Sequence, residues 1–276
     1  MSSILIFGGF ALFHISQKEA DAVIEMALEK GINQVDVSPF YGDAEKHLGS
    51  WFKRHGKQFF LSCKTAERKK KGAWESLKRS LETLHVDHFD IFQLHGVDDI
   101  NVLKTTLGPG GAMEAILEAK AQGLVRFIGI TGHNPPVHNQ SLQLFDFDTV
   151  MFPLNRVHAA HPTDWNDWRP LLKTARQKDV GVMAIKSIAK RAWESEQARR
   201  RHNTWYEPFM DAEEIEKSLR YTLSQDITAA VLPGELSIWP IMIDVAKRFK
   251  PMTAQEQRDA MAYVKQYQPL VGPQMD

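Results

Sequence analysis

The feature that most constrains this chain is a repeated alternation. Eight times, a short apolar run gives way to a segment whose apolar residues recur at helical spacing. The first four runs are ILIFGGFAL (4–12), QVDVS (34–38), FFLSCKT (59–65) and FDIFQLH (89–95). The others are VRFIGIT (125–131), DTVMFPLN (148–155), VGVMAIKS (180–187) and ITAAVLPG (227–234). Helical segments are expected at 16–31, 42–56, 73–86, 111–123, 136–145, 168–179 and 211–225, with two more at 237–248 and 253–267. Strands that read as apolar runs between helices belong to a parallel sheet covered on its outer face. Eight such units in a chain of 276 residues predict an α/β fold, a closed (β/α)8 TIM barrel with extra C-terminal helices. No low-complexity tract or Gly/Ser/Pro linker divides the chain, so residues 1–276 are expected to form one barrel domain. The long irregular stretch is 188–210, a loop after the seventh strand, on the side where barrel active sites lie.

Charge and cysteine content narrow the function classes. Lys plus Arg number 34, as do Asp plus Glu, so no global field draws nucleic acid or an anionic membrane. The single cysteine, Cys63, excludes an internal disulfide framework and an all-cysteine metal site. The N-terminal stretch lacks a basic leader region and its apolar run is broken by Gly8, Gly9 and His14, so it reads as a strand. No apolar stretch is long enough to span a bilayer. These readings predict a cytoplasmic protein, monomeric or weakly oligomeric, without nucleic-acid or membrane partners.

Unusual polar residues then fall at the strand ends. Asp36 ends the second run, Lys64 the third and His95 the fourth, 28 and 31 residues apart, each about one βα unit. All three are expected at the carboxyl mouth of neighbouring strands, with Tyr41 in the loop just after Asp36. Taken singly, each has a plainer reading: a capping Asp, a solvated Lys, a packing Tyr. Together on consecutive strand ends they form a chemical set. A phenol titrates near 10 in a free peptide, roughly, and an adjacent ammonium favours its phenolate. An aspartate keeps the lysine charged and aimed, and a histidine donates to a carbonyl oxygen held beside the phenol. The set suits reduction of a C=O group, with the hydride coming from a nicotinamide cofactor.

Several segments resemble the aldo-keto reductase family. They are GINQVDVSPFYGDAEKHLG, LSCKT, DIFQLHG, VRFIGITGHN, DTVMFPLN and the stretch from WYEPFM to LPGE, the last similar to a bacterial branch. The resemblance covers nearly the whole chain. It implies that Tyr41 is the proton donor, that Lys64 and Asp36 tune it, and that His95 orients a small-molecule carbonyl substrate. It implies NADPH as cofactor, with NADH as the other candidate, and no metal. It also implies an N-terminal hairpin closing the barrel floor. Here the first strand starts almost at residue 4, so that hairpin is expected to be absent or abbreviated.

The cofactor end departs from the family pattern. A Ser-Asn pair and a Gln that contact the carboxamide align with Thr131, Gly132 and Met151, and an aromatic stacking partner aligns near Ile185. Thr131 still offers a hydroxyl; Asn134 and Asn155 are the candidate substitutes for the amide. Lys186, Pro233 and Gly234 are the expected phosphate-side contacts. Glu235 opposes a 2′-phosphate, whereas Lys190, Arg191, Arg199, Arg200 and Arg201 would favour one. Gly108–Gly111 follows a polar loop and reads as a helix entry rather than a phosphate loop. Phe10, Phe13 and Phe40 are expected to flank the pocket. Two other functions fit less of the chain. One is a nucleotide-binding regulatory barrel without turnover, which aldehyde reduction would exclude. The other is a metal-dependent hydrolase drawing on His95, His133, His158 and His161, although no HxH or HExxH pattern occurs.

Overall fold

The computed structural model describes residues 2–270; residues 1 and 271–276, which the single-domain assignment also takes in, lie outside the described residues. The first half of the chain comprises β1 (Leu5–Gly8), α1 (Gln17–Glu29), β2 (Gln34–Asp36), α2 (Ala44–His55), β3 (Phe60–Thr65), α3 (Lys70–Leu84), β4 (Phe89–Leu94), α4 (Ile100–Leu107) and α5 (Ala112–Ala121). It continues with β5 (Val125–Thr131), α6 (Pro135–Leu144), β6 (Thr149–Pro153), α7 (Arg156–Ala160), α8 (Arg169–Gln177) and β7 (Gly181–Ile185). Then come β8 (Ala189–Arg191), α9 (Glu196–Arg199), β9 (Glu207–Pro208), α10 (Ala212–Leu223), β10 (Ala229–Val231), α11 (Trp239–Lys247) and α12 (Ala254–Val264).

Strands β1 to β7 and β10 close into one parallel barrel in the order β1-β10-β7-β6-β5-β4-β3-β2. The final helix, α12, lies beyond the eight repeats. No strand precedes β1 among the described residues; β1 enters the barrel directly, Leu5 opposite Ala230 and Gly8 opposite Asp36. Two apolar layers follow from the double-sided burial of each strand. Ile6, Ile91, Met151, Met183, Ala229 and Val231 fill the barrel interior. The outer strand faces, including Phe7, Phe92 and Phe152, pack under the helices in the larger core.

Local chemistry explains the element ends. Ser16 and Glu19 form a capping box at the start of α1, and Thr253 and Glu256 form another at α12, satisfying backbone donors that have no helical partner. The strand expected over 4–12 stops at Gly8 and continues as a 3-10 turn, Gly9–Leu12. A Cβ on Gly8 would lie 2.1 Å from the Leu232 carbonyl oxygen, and one on Gly9 2.8 Å from that of Asp36. The two glycines let the chain turn inward between the neighbouring strands.

The alternation is less regular than expected. Helix α4 occupies what reads as a polar loop; Asp99 initiates it by accepting from the backbone N–H groups of Asn101 and Val102. Gly111 then caps α5, so the 108–111 stretch is a helix entry that follows a helix. Segment 188–210 is not wholly irregular. It contains the short antiparallel pair β8–β9 and the single turn α9, tied by Glu207 to Lys190 (2.6 Å) and Arg191 (2.7 Å).

Candidate active site

Parallel register brings the polar strand ends to one mouth. Lys64 lies opposite Gln93 and Asp36 opposite Ser62, so the residues ending β2 and β3 and the one just past β4 rise around the barrel rim. There Asp36, Tyr41, Lys64 and His95 line one cavity of about 350 Å³. Lys64 is 1% exposed and Asp36 2%. The Lys64 ammonium pairs with the Asp36 carboxylate and donates to the Tyr41 phenol oxygen at 3.3 Å and the Val37 carbonyl at 3.4 Å. Gln93 Nε2 donates to the other Asp36 oxygen at 2.9 Å. Buried charges need such pairing, and this lysine has it on three sides.

The electrostatics separate the roles of these groups. Burial lowers the Lys64 ammonium, but Asp36 and Tyr41 outweigh it and hold the pKa above the usual lysine value. Burial pushes the Asp36 carboxyl upward against the pull of Lys64 and Gln93. The Tyr41 phenol is also raised: burial outweighs the lowering effect of Lys64. The expected direction of the lysine's influence is present, yet the net shift goes the other way, and the phenol keeps its proton. Burial, followed by the charge of Lys64, takes His95 down to about 3, so its imidazole is neutral near pH 7. Ser38 Oγ lies 3.5 Å from His95 Nδ1. A serine hydroxyl donating there leaves the proton on Nε2, the edge able to donate to a substrate oxygen. Arg68 fixes the segment behind it by donating to the carbonyls of His95 (2.6 Å) and Gly96 (3.0 Å).

Of the three aromatics expected to flank the pocket, Phe10 is on the cavity wall, whereas Phe13 and Phe40 lie behind or beside it. Phe10 packs edge-on to Tyr41 with ring centroids 5.4 Å apart and stacks on Phe13 at 5.1 Å; Phe40, 62% exposed, lies 5.8 Å from the His95 ring.

The remaining expected residues divide. Thr131, Lys186, Pro233 and Gly234 line the same cavity, as do Met151 and Ile185. Asn134 and Asn155 do not: each caps a helix. Asn134 Oδ1 accepts from Val137 N and its Nδ2 donates to Asp98 O, while Asn155 Oδ1 accepts from His158 N and its Nδ2 donates to Lys186 O. Lys186 is 6% exposed, sits at φ 61°, and its ammonium lies 4.1 Å from the Trp205 ring centroid with no hydrogen-bond partner among the described residues. Burial drives its pKa well below the ordinary value. Burial disfavours the charged form here, and an anion such as a phosphate oxygen would restore it by pairing; the apolar faces of Met151, Ile185 and Val231 fit a planar ring.

Segment 188–210 crosses the mouth as a strap, and Thr204, Trp205 and Tyr206 supply part of the cavity wall. Asn203 Nδ2 donates to Phe10 O at 3.1 Å and Phe13 O at 3.4 Å. His202 Nδ1 lies 3.0 Å from the Glu235 carboxylate, which also accepts from Ser237 Oγ at 2.6 Å. Gly234 accommodates the strap: a Cβ there would sit 2.0 Å from Asn203 O. The basic cluster is largely engaged elsewhere. Lys190 and Arg191 bind Glu207, Arg199 binds Glu196, and none of the five lines the cavity. Histidines 158 and 161 also lie off the cavity wall. Among the described residues, no group of three or more His, Cys, Asp or Glu side chains is arranged to hold a metal ion, and no helix is long and apolar enough to cross a membrane.

Comparison with known proteins gives a consistent result. The profile of the aldo/keto reductase family matches residues 4–259. The chain is 24% identical to the uncharacterized oxidoreductase YqkF of Bacillus subtilis, over 91% of this chain and 89% of that protein. It is 29% identical to L-galactose dehydrogenase of Arabidopsis thaliana, over 63% of this chain and 57% of that one. The holo form of aldo-keto reductase AKR11C1 from Bacillus halodurans superposes with a TM-score of 0.70 at 22% identity, covering 98% and 94% of the two chains, a likeness of fold alone.

Proposed function

The chain belongs to the aldo/keto reductase family, oxidoreductases acting on small-molecule carbonyl compounds, and from that premise we propose that it reduces an aldehyde or ketone to an alcohol with Tyr41 as proton donor. The observation that carries this reading is the buried chain Asp36–Lys64–Tyr41, opening on the cavity that also holds His95. A nicotinamide cofactor, NADPH by the family's habit with NADH as the alternative, supplies the hydride when bound.

The chain's own residues do the rest. His95, neutral and presenting Nε2–H, holds the carbonyl oxygen beside the phenol. Tyr41 gives its proton to that oxygen as the carbon gains the hydride, so the product is the neutral alcohol. The Lys64 ammonium stabilises the phenolate left behind, and Asp36 keeps that ammonium charged and directed. Lys186 would meet the cofactor's phosphates, Thr131 the nicotinamide end, and the Pro233–Gly234 turn the outer part. Phe10 and Phe40 favour apolar or aromatic substrates at the open side. The engagement of all four residues in one geometry favours turnover over a purely regulatory barrel.

The test is a titration of NADPH against NADH by fluorescence quenching, followed by a panel of aldehydes and ketones. Binding of one dinucleotide at micromolar concentration and its oxidation by an aldehyde support the reading. Binding of neither at millimolar concentration excludes it.

A further inference from the structure

We infer that His133 is a positioning residue for the dinucleotide, its Nε2 accepting a hydrogen bond from the carboxamide N–H of the nicotinamide ring. The inference rests on the reading that this mouth takes a nicotinamide cofactor.

A carboxamide brings two N–H donors and one oxygen acceptor into the site, and a buried donor without an acceptor is expensive. Met151 and Ile185 on the cavity wall offer no strong acceptor. The amides of Asn134 and Asn155 are committed to helix caps. The hydroxyls of Thr131 and Thr204 rotate, and that of Thr204 already donates to Tyr206 O at 2.7 Å. His133 stands on the same wall, beyond Thr131 in sequence, and its ring is held rather than free.

The holding group is Asp98. Its carboxylate accepts from the backbone N–H of His133, from that of Asn134 at 3.0 Å, and lies 3.2 Å from His133 Nδ1. A carboxylate only accepts, so Nδ1 must carry the ring proton. Nε2, on the far side of the ring from Asp98, is then a lone pair. Trp205 packs edge-on against the imidazole with centroids 6.2 Å apart and limits its rotation. Burial, opposed by Asp98 and assisted by the Lys186 ammonium, holds the His133 pKa below its ordinary range, which keeps Nε2 unprotonated near pH 7. The outcome is one ring nitrogen held as an acceptor beside Thr131, Met151 and Ile185.

The test compares NADPH with its 3-acetylpyridine analogue, in which a methyl group replaces the carboxamide NH₂, by calorimetric titration. Wild-type protein should bind NADPH about five-fold more tightly than the analogue, the effect of one net hydrogen bond. In His133→Leu that ratio should fall to about one while affinity for the analogue is retained, which also shows the pocket intact. His133→Asn, which keeps an acceptor oxygen, should restore most of the ratio. A five-fold preference that survives in His133→Leu, or its absence in wild type that still binds both dinucleotides, overturns the role of His133 alone. Failure of wild type to bind either dinucleotide overturns the nicotinamide reading and this inference with it.

Discussion

Lys64 and Tyr41 meet ammonium to phenol oxygen at 3.3 Å, and the same ammonium lies 4.9 Å from the tyrosine ring centroid. The lysine therefore acts on the phenol from a buried position, where a charge is felt more strongly than in bulk water. Its partner Asp36 has no other role within reach, since both carboxylate oxygens are occupied by Lys64 and Gln93.

Replacing Tyr41 by Phe removes the donated proton and little else. Turnover of an aldehyde should fall by two to four orders of magnitude, roughly the contribution of a positioned acid. Dinucleotide affinity should stay within about two-fold, because the phenol acts on the substrate. Steady-state rates beside a binding titration check this, and near-wild-type turnover in Tyr41→Phe would sink the mechanism.

Lys64→Met tests the charge. Burial already raises the phenol, and Lys64 opposes that rise. Without the ammonium the phenol should titrate higher still, so the basic limb of the rate profile for reduction moves to higher pH, or activity is lost altogether. An active variant with an unchanged profile would make the lysine structural only.

Cofactor preference depends on Glu235 and on the arginines of the strap. Glu235 is already engaged by His202 and Ser237, and Arg199 by Glu196. One charge beside a partly desolvated phosphate is worth about 1–3 kcal/mol, roughly one to two decades of affinity. Glu235→Ser should therefore shift preference toward NADPH. The triple variant Arg199→Ala, Arg200→Ala, Arg201→Ala should shift it toward NADH only if the strap meets the 2′-phosphate. An unchanged ratio in the triple variant removes the strap from that role.

Acid should destabilise the fold early. Burial takes His138 and His158 down to about 4, and His95 to about 3. An unfolded histidine titrates near 6.5, so between these values the unfolded chain binds more protons and stability falls as pH falls. At about pH 5 each of the two near 4 represents a loss of about 2 kcal/mol. Melting temperature measured from about pH 8 to pH 5 should drop steeply below pH 6.5. A flat curve would mean these rings gain protons without unfolding.

Arg156 is fully buried and ties α7 to α10, pairing with Glu214, donating to Ser218 Oγ at 2.9 Å and lying 4.5 Å from the Phe209 ring centroid. Arg156→Ala should cost about 3 kcal/mol, the low end for a broken buried pair, because Lys217 still holds the other Glu214 oxygen at 3.2 Å. The pair Arg156→Met, Glu214→Gln should recover much of it. Urea unfolding reads both, and a loss in the single variant below about 1 kcal/mol would show that Glu214 escapes to water.

The cluster at the mouth was legible because strand ends in a barrel share one rim, so sequence spacing alone placed Asp36, Lys64 and His95 together. Period two along the same strands also pointed to Gln34, Ser62 and Gln93, two residues before each of them. In the structure Gln93 holds Asp36, while Gln34 donates to Ser62 at 3.2 Å. Helix α4 was missed because Lys104, Thr105 and Thr106 look loop-like, although Asp99 carried a cap signal. What no local pattern encodes is contact across the chain. Asn203 bonding to Phe10, 193 residues away, and Asp98 gripping His133 arise only when the closed barrel brings their loops together.

The seam between β1 and β10 carries a consequence for the order of events during synthesis. Leu5 faces Ala230, so β1 acquires its second neighbour only once Ala230, far along the sequence, has been made. Until then β1 has β2 on one side and an open row of backbone donors and acceptors on the other. Closing a loop of that length is entropically slow, and pairing of the most distant segments comes last. The growing chain must therefore carry an unsealed edge until β10 has been made. Substitutions at the seam, Leu5 and Ile6 or Ala230 and Val231, would show first in the yield of folded protein and only afterwards in the chemistry at the mouth.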